Sequence, residues 1–319
     1  MATAISTYPA FERLPTLGDT GERHSWEVFG HGDELGCLNF ITPEAVLAAT
    51  REVQAGQVVN LNLPLGQPQP QFWASRGAPE YHAVQHGKNV RDDYIDSLYT
   101  QGSTQWDGFR HMRFRQYGYY GGRQDEDLDL RGELGVGVWA DRGLIGRGVL
   151  LDVHGHSPRD PEERCPIGPD LLEETLAAQG TTIARGDILL IRTGWLEWYS
   201  ALAADHRTEL ATQLDADRSK ARLPGLDPSQ AMAGWLWDHG VAAIAVDNPT
   251  AETIPYVPAE GWAHHRLLVL LGLPLGELWW LAGLADACHR RGSWSFLLST
   301  APMNIPQGVA SPANAYAIL

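Results

Sequence analysis

The chain has 319 residues and a mass of 35.1 kDa, enough for a large core in one domain or two, with 44% hydrophobic and 20% charged residues as in ordinary globular proteins. A formal charge of −15 with no Lys/Arg cluster weighs against nucleic acid and against an anionic membrane surface as partners. Cys37, Cys165 and Cys288 lie far apart without CxxC spacing, so they read as reduced thiols and not as a disulfide frame or zinc knuckle.

The N-terminus carries no basic segment followed by an apolar run, and the apolar run 267–275 is short and holds Pro274, so the expected location is the cytoplasm. Residues 1–35, rich in Gly, Pro and charge, read as an arm lying over the domain or over a neighbouring subunit. Thr42, Pro43 and Glu44 open a helix expected over 45–53, and 58–63 alternate as a half-buried strand that Pro64 ends. Residues 66–98 include Trp73, Tyr81, His82 and His86 and have little periodicity, which suits a long functional loop or lid with solvated histidines. An acidic run at 124–129 reads as surface, and His154 and His156 follow an apolar strand at 146–153. Beyond it the pattern predicts a helix at 169–179, a strand at 188–191, a solvent-facing helix within 201–219 and a helix from Asp227 to Asp238. There follow a buried strand at 241–246 with a polar turn at 247–250, a helix at 262–271, a strand or loop at 272–280, and a helix at 281–291 with cations in its last turn. A strand at 294–298 and a proline-rich tail complete the order. Alternating strands and helices give an α/β fold. Without repeats or linkers it reads as one domain over 36–305, between the arm and a tail at 306–319.

One stretch stands apart, Gln101-Gly-Ser-Thr-Gln105-Trp-Asp107-Gly-Phe-Arg-His111. Asp107 and His111 are costly to bury without partners, and Gly102 and Gly108 each disfavour a helix by about 1 kcal/mol. In an extended conformation Gln101, Ser103, Gln105 and Asp107 share a face. The stretch is either a polar turn that delivers side chains to one point or a hydrogen-bonded loop without chemistry.

Several blocks together resemble the cyclase-like metal hydrolases, the family that includes bacterial kynurenine formamidase and isatin hydrolase. They are Gly146-Arg-Gly-Val-Leu-Leu-Asp-Val153, Gly186-Asp-Ile-Leu-Leu-Ile-Arg-Thr-Gly-Trp195, Val246-Asp-Asn-Pro-Thr250, and His265 followed twelve residues later by Glu277. The resemblance implies a single α/β domain with a mixed β-sheet flanked by helices, the swivelling β/β/α arrangement. The family's metal motif, His-x-Gly-Thr-His-x-Asp-x-Pro-x-His, falls on 101–111. Asp107 and His111 match it, whereas both metal-binding histidines are replaced by Gln101 and Gln105, the glycine by Ser103 and the proline by Phe109.

On that frame the metal ligands would be Gln101, Gln105 and Asp107, a hard oxygen set that suits Mn²⁺ better than Zn²⁺. Loss of the metal, with the glutamines bonded to substrate, is the alternative. The resemblance implies hydrolysis of a C–N or C–O bond in a small aromatic or cyclic amide, imide or lactone. Asp107 would hold the metal or the water and His111 would move protons. His265 and Glu277 would complete the site, leaving His264 as a packing or surface residue. Gln105, Trp106, Phe109 and Trp73 would contact substrate. Two other classes stay open: a metal-independent lyase or cyclase using His111 and Asp107, and a silent small-molecule binding protein. A homodimer or tetramer is expected.

Overall fold

The computed structural model describes residues 8–73 and 75–319. Its centre is a nine-stranded mixed sheet, in the order Val58–Asn60, Tyr316–Ile318, Ser295–Thr300, Leu144–Leu151, Ile188–Ile191, Ala243–Val246, Leu275–Glu277, Gln105–Asp107 and Ala310–Pro312. The four strands from Leu144–Leu151 to Leu275–Glu277 run parallel to one another, and the flanking pairings are antiparallel. Ile188–Ile191 and Ala243–Val246 are buried at every position, as continuous apolar runs must be when both faces of a parallel sheet are covered. Helices at Pro169–Gln179, Gln230–Asp238 and Ala282–Arg291 supply much of that cover, so the α/β single-domain fold expected from the sequence is the one observed.

The edges of the chain are less separate than the sequence suggests. Phe11, Leu14 and Leu17 of the expected arm sit in the main core, while Ser25 and Trp26 donate to carbonyls of 269–271. The expected tail supplies two strands to the central sheet, Ala310–Pro312 and Tyr316–Ile318. At three residues each they are too short to show a period. The expected loop at 66–98 contains a hairpin, Glu80–His86 with Val90–Asp96, that is almost wholly exposed. Neither of its faces packs on a core, so the apolar alternation that marks a half-buried strand is missing. Among the described residues no helix is long and apolar enough to cross a membrane.

The helix expected at 262–271 is a π-helix over His265–Leu271. Gly272 ends it at φ +62°, and a Cβ there would lie 2.4 Å from the Tyr120 ring, so neither backbone nor packing tolerates a side chain.

Candidate active site

The strand Gln105–Asp107 lies between Leu275–Glu277 and Ala310–Pro312, with Gln105 opposite Glu277 and Asp107 opposite Leu275. Strand alternation puts Gln105, Asp107 and Glu277 on one face and Trp106 on the other. Trp106 is therefore core: its Nε1 donates to Thr300 Oγ1 at 2.9 Å and its ring meets Trp279 edge-on at 4.9 Å. Gly276, opposite Trp106, has no room for a side chain, because a Cβ would stand 2.5 Å from Trp279 Nε1. Past the strand a turn closed by His111 N–H to the Gly108 carbonyl brings the imidazole back, with Nε2 3.9 Å from Asp107 Oδ2.

The fourth group comes from a helix start. Glu252, fully buried, accepts from the Ala263 N–H at 2.6 Å and from His264 Nδ1 at 2.6 Å. The second bond fixes the imidazole's orientation, so that Nε2 faces Glu277 Oε1 at 3.3 Å and Asp107 Oδ2 at 3.7 Å. The structure thus exchanges the two histidines relative to expectation. His264 is in the site, and His265 lies outside it, stacked on Trp262 at 4.9 Å with Phe114 edge-on. A π-turn holds one residue more than an α-turn, consistent with a spacing of thirteen residues from His264 to Glu277 in place of twelve.

Burial alone would raise Asp107, but the charges of His111 and His264 hold its carboxyl below the usual range. Burial and the Asp107 charge push Glu277 the other way, up towards neutrality. Burial would lower the His264 pKa, yet the carboxylates of Asp107, Glu252 and Glu277 outweigh it and raise it well above its ordinary range, and a cation held by Nε2 would displace that proton. His111 is lowered by burial, with Asp107 opposing. Paired groups with opposed shifts are what acid–base chemistry near neutral pH requires.

Gln101 and Gln105 do not turn their oxygens onto a shared point with Asp107, as the expected oxygen site demands. Gln101 Nε2 donates to Asp107 Oδ1 at 2.6 Å and Gln105 Nε2 to Glu277 Oε2 at 2.7 Å. An amide facing a carboxylate presents its N–H groups, the only polar atoms of the two able to donate. The atoms gathered instead belong to Asp107, His111 and His264, which can offer one ligand atom each within 4.8 Å of one another. Asp107 Oδ2 is buried and has no hydrogen-bond partner, although such an oxygen is costly to leave bare. That orphaned atom between two imidazole nitrogens fits a divalent cation.

Above the cluster opens a cavity of about 510 Å³, lined by Trp73, Tyr256 and Trp262 together with Arg76, His111 and His264. Trp73, expected to contact substrate, lines this cavity, whereas Phe109 lies away from it, buried against Tyr120 and Trp139 at 4.7 and 4.9 Å. Glu252, Arg76 and Tyr256 were not foreseen, since no local pattern links them to 101–111.

The Cyclase family model matches residues 59–253, more than half the chain. The protein belongs to the Cyclase family. This cyclase-family chain is similar to the crystal structure of a novel cyclase at 30% identity and a TM-score of 0.81, over 93% of this chain and 99% of that one. An isatin hydrolase bound to the product analogue thioisatinate shares the fold at 18% identity and a TM-score of 0.60, over 87% and 99% of the two chains. Isatin hydrolase A from Ralstonia solanacearum does so at 17% identity and 0.57, over 86% and 97%. No curated protein matches this cyclase-family member in sequence.

Proposed function

We propose that this protein hydrolyses a C–N or C–O bond in a small cyclic or aromatic amide, imide or lactone. The observation that carries the reading is the bare, buried Asp107 Oδ2 between His111 Nε2 and His264 Nε2 at the floor of an aromatic cavity. The solved isatin hydrolases, which share the fold, give the reaction class its support.

Asp107, His111 and His264 would hold a divalent metal, and the donor set of two imidazoles and one carboxylate suits Zn²⁺ and Mn²⁺ alike. Such an ion, when bound, supplies Lewis acidity and a more acidic water. Glu277, raised towards neutrality, is the residue placed to take up and return a proton, while Gln105 holds its far oxygen. Glu252 positions His264 through Nδ1. Trp73, Tyr256 and Trp262 seat a flat ring and keep water from its faces.

The test is a screen of N-formyl aromatics, cyclic imides and lactones with added Mn²⁺ or Zn²⁺, followed by variants. Glu277→Gln is expected to bind metal and lose turnover by 10²-fold or more, the usual reach of a proton-transfer group. His111→Ala is expected to lose metal and turnover together. Retained metal with lost turnover in His111→Ala would instead make His111 the proton carrier.

A further inference from the structure

Arg76 lines the same cavity as His111, His264 and Glu277. Among the described residues it has no carboxylate partner, and its guanidinium makes one hydrogen bond, from Nη1 to the Gln101 carbonyl at 2.7 Å. Half-buried arginines outside the cavity are more fully engaged: Arg110, Arg142, Arg207 and Arg291 each hold two or more backbone carbonyls, and others are paired with carboxylates. Arg147 pairs with Glu52 and Asp187, Arg192 with Asp152 and Glu197, and Arg266 with Glu22. In a chain with 39 acidic and 24 basic residues, a carboxylate for Arg76 would be easy to supply from within.

Most of the five N–H donors of the guanidinium fork are therefore available to a ligand, in a shape that matches a planar oxyanion. The bond to Gln101 anchors the fork at the edge of the site, because Gln101 also holds Asp107. Around it the walls are aromatic: Tyr256 and Trp262 stack at 4.8 Å, and Trp73 lines the same space.

We propose that the cavity is built for an anionic aromatic substrate, its ring seated among Trp73, Tyr256 and Trp262 and its carboxylate or equivalent oxyanion held by Arg76. This rests on the hydrolase reading for the reaction but adds the substrate's charge, and it makes Arg76 the specificity-determining residue. Balancing the buried acids is a lesser task for Arg76, since His264 already lies against Asp107 and Glu277.

The test measures binding, not turnover, on the full-length protein as purified and again after chelation. The probes are benzenesulfonate, whose oxygens are poor metal ligands, and the neutral methyl phenyl sulfone, compared by calorimetry at low ionic strength. The anion is expected to bind about tenfold or more tightly than the sulfone, the scale of a charge-assisted hydrogen-bonded pair. Arg76→Gln, which keeps a donor for the Gln101 carbonyl, is expected to bring the anion to the level of the sulfone without changing the sulfone. Arg76→Lys should keep part of the preference. Equal affinities in the wild type, or an anion preference that survives Arg76→Gln, would overturn the proposal. Because no bond is cleaved, that result stays separate from a failure of the hydrolysis screen.

Discussion

Gln105 stands directly across the ladder from Glu277 and donates its carboxamide N–H to Glu277 Oε2 over 2.7 Å, with both side chains buried. Gln101 treats Asp107 in the same way through Oδ1. Each amide satisfies one oxygen of its carboxylate, and the other oxygen of each, Glu277 Oε1 and Asp107 Oδ2, lies beside His264 Nε2. The glutamines thus orient the acids through their amide N–H groups. Gln105→Leu removes the donor and leaves a buried carboxylate oxygen unpaired, at a cost of about 1–3 kcal/mol. Urea unfolding in chelator should show that loss, and a smaller one for Gln105→His, which retains an N–H. Equal stability of wild type and Gln105→Leu would mean the bond contributes nothing.

The exchange of the two histidines has a direct test in metal-linked stability. A ligand at a hundred times its Kd stabilises the folded state by about 2.7 kcal/mol. Saturating Mn²⁺ or Zn²⁺ should raise the thermal midpoint of the wild type and of His265→Ala. His264→Ala should lose most of that rise. The reverse pattern would return the site to His265 and undo the assignment made from Nε2 geometry.

Much of the fold was legible because the central strands at 188–191 and 243–246 are apolar throughout and bounded by glycines or polar turns. Of the groups brought together here, Asp107 and His111 drew notice as a carboxylate and an imidazole in a polar stretch broken by glycines, whereas Glu277, in an apolar stretch, came only from the family resemblance. His264 was not legible, because the twelve-residue spacing to Glu277 taken from the family resemblance selected His265, while the π-helix at His265–Leu271 accommodates a spacing of thirteen. Trp106 was misplaced even though alternation, applied to its neighbours Gln105 and Asp107, already sends it to the opposite face. Glu252 and Arg76 reach the site from segments whose approach only the tertiary fold defines.

Asp247, in the turn after the strand Ala243–Val246, accepts three hydrogen bonds: from Thr193 N–H at 2.8 Å, Thr193 Oγ1 at 2.6 Å and Gly194 N–H at 2.8 Å. It ties together the ends of two parallel strands immediately before Pro249 and Thr250, which line the cavity. Asp247→Ala strands these donors in a buried place and should cost about 3 kcal/mol or more in urea unfolding, with Asp247→Asn losing less because its one carbonyl oxygen still accepts. Metal occupancy per folded chain should be unchanged, as Asp247 touches none of Asp107, His111 or His264. A variant that folds as stably as the wild type would show that the turn holds without this carboxylate.

His265 gives a pH dependence with a definite sign. Burial against Trp262 and Phe114 lowers its pKa from 6.5 to about 4, with Glu252 opposing. Between those values the unfolded chain takes up a proton that the folded chain refuses, so protons favour unfolding. The contribution is fully present above pH 6.5 and is lost progressively as pH falls towards 4. His265→Phe keeps the stacking ring and removes the titration. Its urea midpoint should match the wild type closely at neutral pH and decline less steeply across that window. Other acids lower both curves on acidification, so the difference between the two carries the information. Parallel declines, or a His265 proton resonance that titrates above pH 6, would place the imidazole in water and not between the rings.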